Sequence, residues 1–314
     1  HRTFFAEAEV VGRKPNGDPQ LRVNKSTGRT ELDSDLPAIL RQWKAASSSD
    51  LAIPDTQLGF WSSIPAGMEA QFEHDGSRLD PAYHHPSRHE AAKALRSSPF
   101  PLASLLDICD VRNEMVVPSK DLQDEELTYI GLANIEAHTG IYTPAIVAGS
   151  SLKSTVKRFV SGDILFAKLR PELHKVCLIG DDIDEGFASA ECLVLVPRID
   201  AASKEPVMIP QLLALLLRSD LAYGQIVHQV TGIGRPRLSR TAVLNLRLPV
   251  PPIGEQRRLL ELYHRSERAA QALLSESEKA AEKSRQLMAE ARHQLVSDLL
   301  RNAKGCALLA YLIV

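Results

Sequence analysis

The chain has almost no net charge: 37 Lys and Arg stand against 39 Asp and Glu, a formal charge of -2 over 314 residues. That balance excludes a global electrostatic argument for a polyanionic partner, so any such argument has to come from local distribution. Aromatic residues make up only 5%, which argues against a surface of many base-stacking platforms. Cysteine is scarce, with Cys109, Cys177, Cys192 and Cys306 alone. No CxxC or Cys/His ligand spacing occurs, so neither a zinc site nor a secreted disulfide framework is indicated. No signal peptide is visible, and the terminal apolar run Cys306–Val314 is far short of the ~20 residues a bilayer span needs. The expectation is a cytoplasmic protein without a membrane partner. Hydrophobic residues reach 44%, enough for a packed core rather than a disordered chain.

Catalytic signatures are also missing. No glycine-rich cofactor loop follows a strand, and GIGRPR (Gly232–Arg237) lacks both the third glycine of GxGxxG and the GK[ST] of a phosphate loop. DPAY (Asp80–Tyr83) is similar to the D/N-P-P-Y/F loop of amino-methyltransferases but lacks the second proline. His85 and His89 lie four apart, yet Pro86 starts a helix there, which favours a helix cap with solvated histidines over a metal site. Asp163 and Glu191 flank strands without forming a catalytic pair, and Glu191 suits a cytosine amino group as acceptor. The reading therefore assigns no catalytic residue, no metal ligand and no cofactor to this chain.

What is present is a strand-rich middle and a long polar helix. Apolar and β-branched runs predict strands at Leu127–Leu132, Asp163–Leu169, Lys175–Gly180, Ser189–Pro197 and Asn245–Val250, with helices at Pro86–Arg96 and Ile209–Val230. DSDLPAILRQWKAA predicts a short helix with Ser34 or Asp35 as its N-cap. After Pro251, Pro252 and Gly254 break the pattern, Glu255–Asn302 reads as one uninterrupted helix. Its stripe includes Leu259, Tyr263, Ala270, Leu273, Ala280, Leu287 and Ala291 at near-heptad spacing. A thin seam on so long a helix requires another helix against it, from a second copy or a partner. The fold class is α+β: a globular mixed-sheet domain followed by a long coiled-coil-type helix. The domain reading is 1–76 as the tail of an upstream domain plus linker, 77–252 as the globule, 253–302 as the helix and 303–314 as an apolar tail.

Charge is unevenly spread. Between residues 153 and 175 stand Lys153, Lys157, Arg158, Lys168, Arg170 and Lys175 against Asp163 and Glu172. TGIGRPRLSR (Thr231–Arg240) is purely basic. Arginine grips a guanine edge with two hydrogen bonds while lysine mostly neutralises phosphate. Lys168, Arg170, His174, Lys175, Arg235 and Arg237 are the first contact candidates for duplex DNA; Asn134, Lys153, Lys157 and Arg240 are second. The alternative for each run taken alone is an ordinary solvated surface.

Several blocks, in order, resemble the specificity subunit of Type I restriction-modification systems: SRLDPAYHHP (from Ser77), YIGLANIEAHTG (Tyr129–Gly140), SGDILFAKLRPELHKV (Ser161–Val176), GFASAECLVLVP (Gly186–Pro197), TGIGRPRLS and LPVPPIGEQRRL (Leu248–Leu259). The last is the most specific, because the family shows a P-x-P-P-x-x-E-Q element before its long helix. The resemblance implies a target recognition domain that reads one half of a split duplex site. It also implies a helix that pairs with another as spacer, and docked adenine methyltransferase subunits. Here one domain and one helix stand where the family has two, which implies a homodimer or a partner. The N-terminal FFAEAEVVGRKPNGDPQLRVN and DLPAILRQW are similar to the C-terminus of N6-adenine methyltransferases. The chain is thus expected to be part of a fused methyltransferase–specificity protein, with S-adenosylmethionine bound by the methyltransferase part or partner and a restriction subunit as a further partner. Two rivals stay open: the tail of a complete bifunctional methyltransferase/restriction enzyme, and a coiled-coil adaptor that binds no DNA.

Overall fold

The computed structural model describes residues 2–6, 8, 10–14, 16–47, 59–63, 81–232 and 234–311, with the backbone alone at 2–3, 45–47, 60–63 and 296–311. Asp80 of the DPAY block, most of the SSSD linker and the last three residues of the tail lie outside the described residues. The chain divides into two compact units, His1–Ile253 and Gly254–Val314.

In chain order the first unit opens with β1 (Arg2–Ala6), β2 (Leu21–Val23), β3 (Thr30–Leu32), α1 (Leu36–Ser47) and β4 (Gly59–Ser63). β1 pairs antiparallel with β4, and β2 with β3. Ser34 accepts from the Leu36 N–H at the start of α1, while Asp35 reaches back to the Val10 N–H. Next come α2 (Pro86–Arg96), β5 (Leu102–Ser104), α3 (Leu105–Ile108), β6 (Cys109–Arg112), β7 (Met115–Val116), α4 (Pro118–Asp121), β8 (Glu126–Ile130) and β9 (Ala145–Ala148). There follow β10 (Val156–Val160), β11 (Ile164–Ala167), β12 (Val176–Leu178), β13 (Glu185–Ser189) and β14 (Cys192–Pro197). The unit closes with α5 (Pro210–Leu217), α6 (Asp220–Ile226), α7 (Arg240–Leu244) and β15 (Arg247–Pro249). The class is α+β, as the sequence pattern predicts.

Two sheets carry the globule. One runs β7-β10-β13-β8-β9, with β13 and β8 parallel and its other neighbours antiparallel. The other runs β12-β11-β14-β6 and is antiparallel throughout. Their inner faces share one core, in which Ile130 and Phe159 of the first sheet meet Leu165, Ala167, Cys177, Cys192 and Val194 of the second. A fully buried Leu, Val or Phe side chain there contributes about 1.5–3 kcal/mol.

The chain crosses from the first sheet to the second at two corners. At 161–163, Gly162 takes a φ of +81°, and Asp163 accepts from the Val160 N–H at 2.9 Å. The same carboxylate, 2% exposed, takes two hydrogen bonds from Arg112, at 2.8 and 3.2 Å. Asp163 therefore fixes a corner. At 190–191 the second corner carries Glu191 between β13 and β14.

The expected helix Ile209–Val230 is two helices, α5 and α6, with a 3-10 turn at Val227–Gln229. Ser219, extended at φ -80° and ψ 161°, breaks it. α2 spans the predicted residues, and His85 caps it, its Nδ1 accepting from the Ser87 N–H. Gly224 lets α6 lie against α2, since a Cβ there would stand 2.3 Å from the Ser87 carbonyl. Next to this contact His84 is fully buried, with its ring stacked on Phe5 of β1 at 4.6 Å. His85, the cap, is exposed and His89 half-buried.

The second unit is one helix, α8 (Ile253–Tyr311). It runs past the expected end at Asn302 into the apolar tail, and at ~1.5 Å per residue it measures about 90 Å. Ion pairs three residues apart, Glu255–Arg258 and Glu282–Arg285, line its polar surface. Among the described residues no helix is long and apolar enough to cross a membrane.

Candidate nucleic-acid interface

Three segments far apart in sequence meet along one backbone ladder. The β11–β12 connection holds residues 168–175, the second corner holds 190–191, and the glycine-punctuated loop holds 231–238. The Lys168 N–H donates to the Glu191 carbonyl at 2.9 Å, and the Leu238 N–H to the Lys168 carbonyl at 3.0 Å. The Arg170 N–H donates to the Pro236 carbonyl at 2.8 Å, so Leu169 and Arg237 face each other as a bridge. Arg237 and Thr231 exchange backbone hydrogen bonds of 2.8 and 3.0 Å, closing the loop as a hairpin. The two basic segments thus lie side by side.

The loop needs its glycines for different reasons. Gly232 has φ +98°, and a Cβ there would stand 2.8 Å from the Arg235 carbonyl; Gly234 has φ +76° in open space. In the β11–β12 connection the left-handed positions are not glycines. Arg170 (φ 52°) and His174 (φ 45°) bracket a 3-10 turn at Pro171–Leu173. Such conformations are strained for residues with a Cβ and persist where the surroundings over-determine them. Here the Arg170 N–H bond to the hairpin supplies one constraint. The other is His174, whose Nδ1 lies 2.7 Å from the Arg218 carbonyl. A carbonyl only accepts, so that nitrogen carries the proton. The His174 ring also stands 4.9 Å from the rings of His138 and Tyr223.

The ten expected contact residues separate into three groups. The side chains of Lys153, Lys168, Arg170 and Arg235 make no hydrogen bond or ion pair with the described residues. Lys168, Arg170 and Arg235 belong to the ladder. Lys153 lies in the loop before β10, where its neighbour Leu152 accepts from Ser119 of α4 instead. Arg237 and Arg240 are partnered: Arg237 donates to Glu191 at 2.6 Å, and Arg240 to Asn113 at 2.8 Å.

The remaining four hold the protein together. Lys157 is only 6% exposed and its Nζ donates to the Cys192 carbonyl at 2.7 Å, tying β10 to β14 between the sheets. Burial pulls its pKa down, with Lys168 and Arg240 acting the same way and Glu191 opposing. Lys175 donates to the Leu132 carbonyl at 2.6 Å. Asn134 accepts from the Gly131 N–H and donates to the Thr143 carbonyl, closing its own turn. His174 props the connection as described. Arg158, counted in the basic run, is neutralised by Glu114 and Glu185. The sequence reading did not anticipate Asn113, nor the pairing of Glu191 with Arg237. No periodic signal marks either, because both contacts span more than forty residues.

On α8, Tyr263, Leu273 and Leu287 are exposed at 42%, 67% and 55%, and Leu274, Met288 and Leu295 at 65%, 63% and 61%. Ala270, Ala280 and Ala291 are also exposed, and Leu259 is half-buried.

No family model matches the chain, and no curated protein does. Among solved structures it is similar to the HsdS subunit from Thermoanaerobacter tengcongensis, with 26% identity and a TM-score of 0.48. It is likewise similar, at 26% identity and a TM-score of 0.49, to a chain in a structure concerned with complex assembly and conformational transition of the type I R-M system. Each match covers 59% of this chain and 47% of the other, so the chain spans about half the length of these structural neighbours.

Proposed function

We propose that this chain recognises a sequence in duplex DNA, through the edge of the first unit where the β11–β12 connection and the Thr231–Arg237 hairpin meet. The observation that carries the reading is the backbone ladder. It brings Lys168, Arg170, Arg235 and Arg237 to one place in a chain whose overall charge is near zero. Cations gathered on a stiff edge attract phosphate, and arginines fixed at the backbone read base edges. Lys157, Lys175, His174 and Asn134 support that edge from within. Arg240 stands beside it, near Lys157.

The order of sequence blocks, above all LPVPPIGEQ before the long helix, supports the further reading of a Type I specificity-subunit half. On this reading α8 pairs with the helix of a second copy, or of a partner, through Tyr263, Leu273, Ala280 and Leu287. The pair sets the distance between two half-sites, and the assembly positions an adenine methyltransferase, with a restriction subunit as a further partner. The chain is a reader rather than a catalyst. On this reading S-adenosylmethionine is bound by the methyltransferase part or partner. Selection from a random duplex pool tests the reading. It should enrich a defined base pattern; enrichment of no pattern, with binding equal for all sequences, contradicts sequence recognition.

A further inference from the structure

Glu191 is out of place on a DNA-binding edge. Its carboxylate takes Arg237 and stands near Lys157, which has Lys168 and Arg240 as further cationic neighbours. An acid at the centre of a cationic patch weakens phosphate attraction. Its position is nonetheless well defined. The Glu191 N–H donates to Ser189 Oγ at 3.3 Å, and its carbonyl accepts from Lys168 at 2.9 Å. One carboxylate oxygen, Oε1, then takes Arg237 Nη2 at 2.6 Å.

Arg237 is correspondingly fixed at both ends. Its backbone exchanges two hydrogen bonds with Thr231, and its chain neighbours Pro236 and Leu238 bond to Arg170 and Lys168. At the other end the guanidinium is held by Glu191, although the side chain is still 49% exposed. A guanidinium has five N–H donors, and a guanine edge takes two. With one donor given to Glu191, the exposed remainder still suffices for a two-point contact, in an orientation already set. A half-exposed ion pair contributes little to stability, so holding this one in place matters more for recognition than for folding.

We propose that Glu191 is a positioning and specificity-determining residue. It orients Arg237 to read one guanine, and by neutralising it in part withholds that cation from indiscriminate contact with phosphate. The inference rests on the DNA reading above and assigns one base position to one pair of residues.

The test compares the full chain, Glu191→Gln, Arg237→Ala and the double variant on random-sequence duplex and on the selected site, across a salt series. Glu191→Gln keeps the size of the side chain and removes its charge. It should bind random duplex more tightly, with a steeper dependence of log K on log salt by about one unit. It should also lose about tenfold of its preference at a single G·C position. In the Arg237→Ala background the same substitution should change that preference no further, because Glu191 acts through Arg237. Glu191→Gln with unchanged preference and salt slope overturns the inference, as does an equal loss of preference in both backgrounds. Either result leaves DNA recognition standing if the unsubstituted chain still selects its site. A chain that binds no duplex overturns both readings.

Discussion

At the scale of single residues, burial decides what a polar or reactive group can do. Cys109, Cys177 and Cys192 are fully buried, and burial pushes each thiol up to about 12 from an ordinary value of 9.0. The thiolate is the reactive form, so at pH 8 these three should resist a thiol reagent in the native chain and react once it is denatured. Rapid labelling of any of the three in the folded state contradicts their placement. The same shift sets a pH dependence. Between about 9 and 12 the unfolded chain releases these protons while the folded chain keeps them, so unfolding gains and stability falls as pH rises. Below 9 the contribution is fully present. Lys157, with its pKa lowered by burial, acts in the opposite sense, but as one group against three. The melting temperature should therefore decline above pH 9, and a constant or rising value contradicts the burial of the thiols.

Single residues were also where the sequence was hardest to read. Lys157 and Arg158 make β10 look like a basic surface, yet one is buried against the Cys192 carbonyl and the other is matched by Glu114 and Glu185. Formal charge along a chain does not show which cations are already neutralised. Pairing is settled by residues 27 to 44 positions away. Arg170 and Arg235 each precede a proline, and with Lys168 they lie in connections where no carboxylate among the described residues takes up the side chain.

At the scale of elements, continuous apolar runs announced β8, β11, β12 and β14. β5, β6, β7, β9, β10 and β13 were missed, since stretches such as AIVA, VKRFV and EGFAS are short or mixed with charge. The helix break at Ser219 was hidden inside a leucine-rich stretch whose periodicity continues through it. At that break the Arg218 carbonyl faces His174 and the Arg218 guanidinium donates to the Val176 carbonyl. A long-range contact thus overrode local propensity. The hairpin was visible as glycine punctuation, but which glycine matters more was not. Gly232→Ala combines a positive φ with a contact to the Arg235 carbonyl, whereas Gly234→Ala meets only the backbone strain. The latter should cost about 1 kcal/mol, the former more, with a larger loss of DNA affinity. Thermal unfolding and a binding titration read both, and equal effects contradict the hairpin geometry.

At the scale of the whole molecule, α8 was legible from its unbroken polar-apolar pattern, although its continuation to Tyr311 was not. Its exposed apolar side chains recur at intervals of seven: Leu273, Ala280 and Leu287 on one row, and Leu274, Ala281, Met288 and Leu295 on the next. Such spacing suits a coiled-coil seam. On the proposed pairing, sedimentation equilibrium should show a dimer, and Leu273→Asp with Leu287→Asp should return it to a monomer with its melting temperature otherwise maintained in the first unit. A monomer in the unsubstituted chain, at concentrations where it still binds a two-part site, contradicts pairing between copies.

The central claim is that the cations on the β11–β12 connection and the hairpin engage duplex DNA, and one titration tests it most directly. Affinity for a random-sequence duplex is measured across a salt series for the unsubstituted chain and for Lys168→Ala/Arg170→Ala/Arg235→Ala. The account predicts weaker binding by the triple variant at every salt concentration. It also predicts a slope of log K against log salt shallower by about 3, near one unit for each lost phosphate contact. Identical affinity and slope in the two proteins, with both folded, would contradict it.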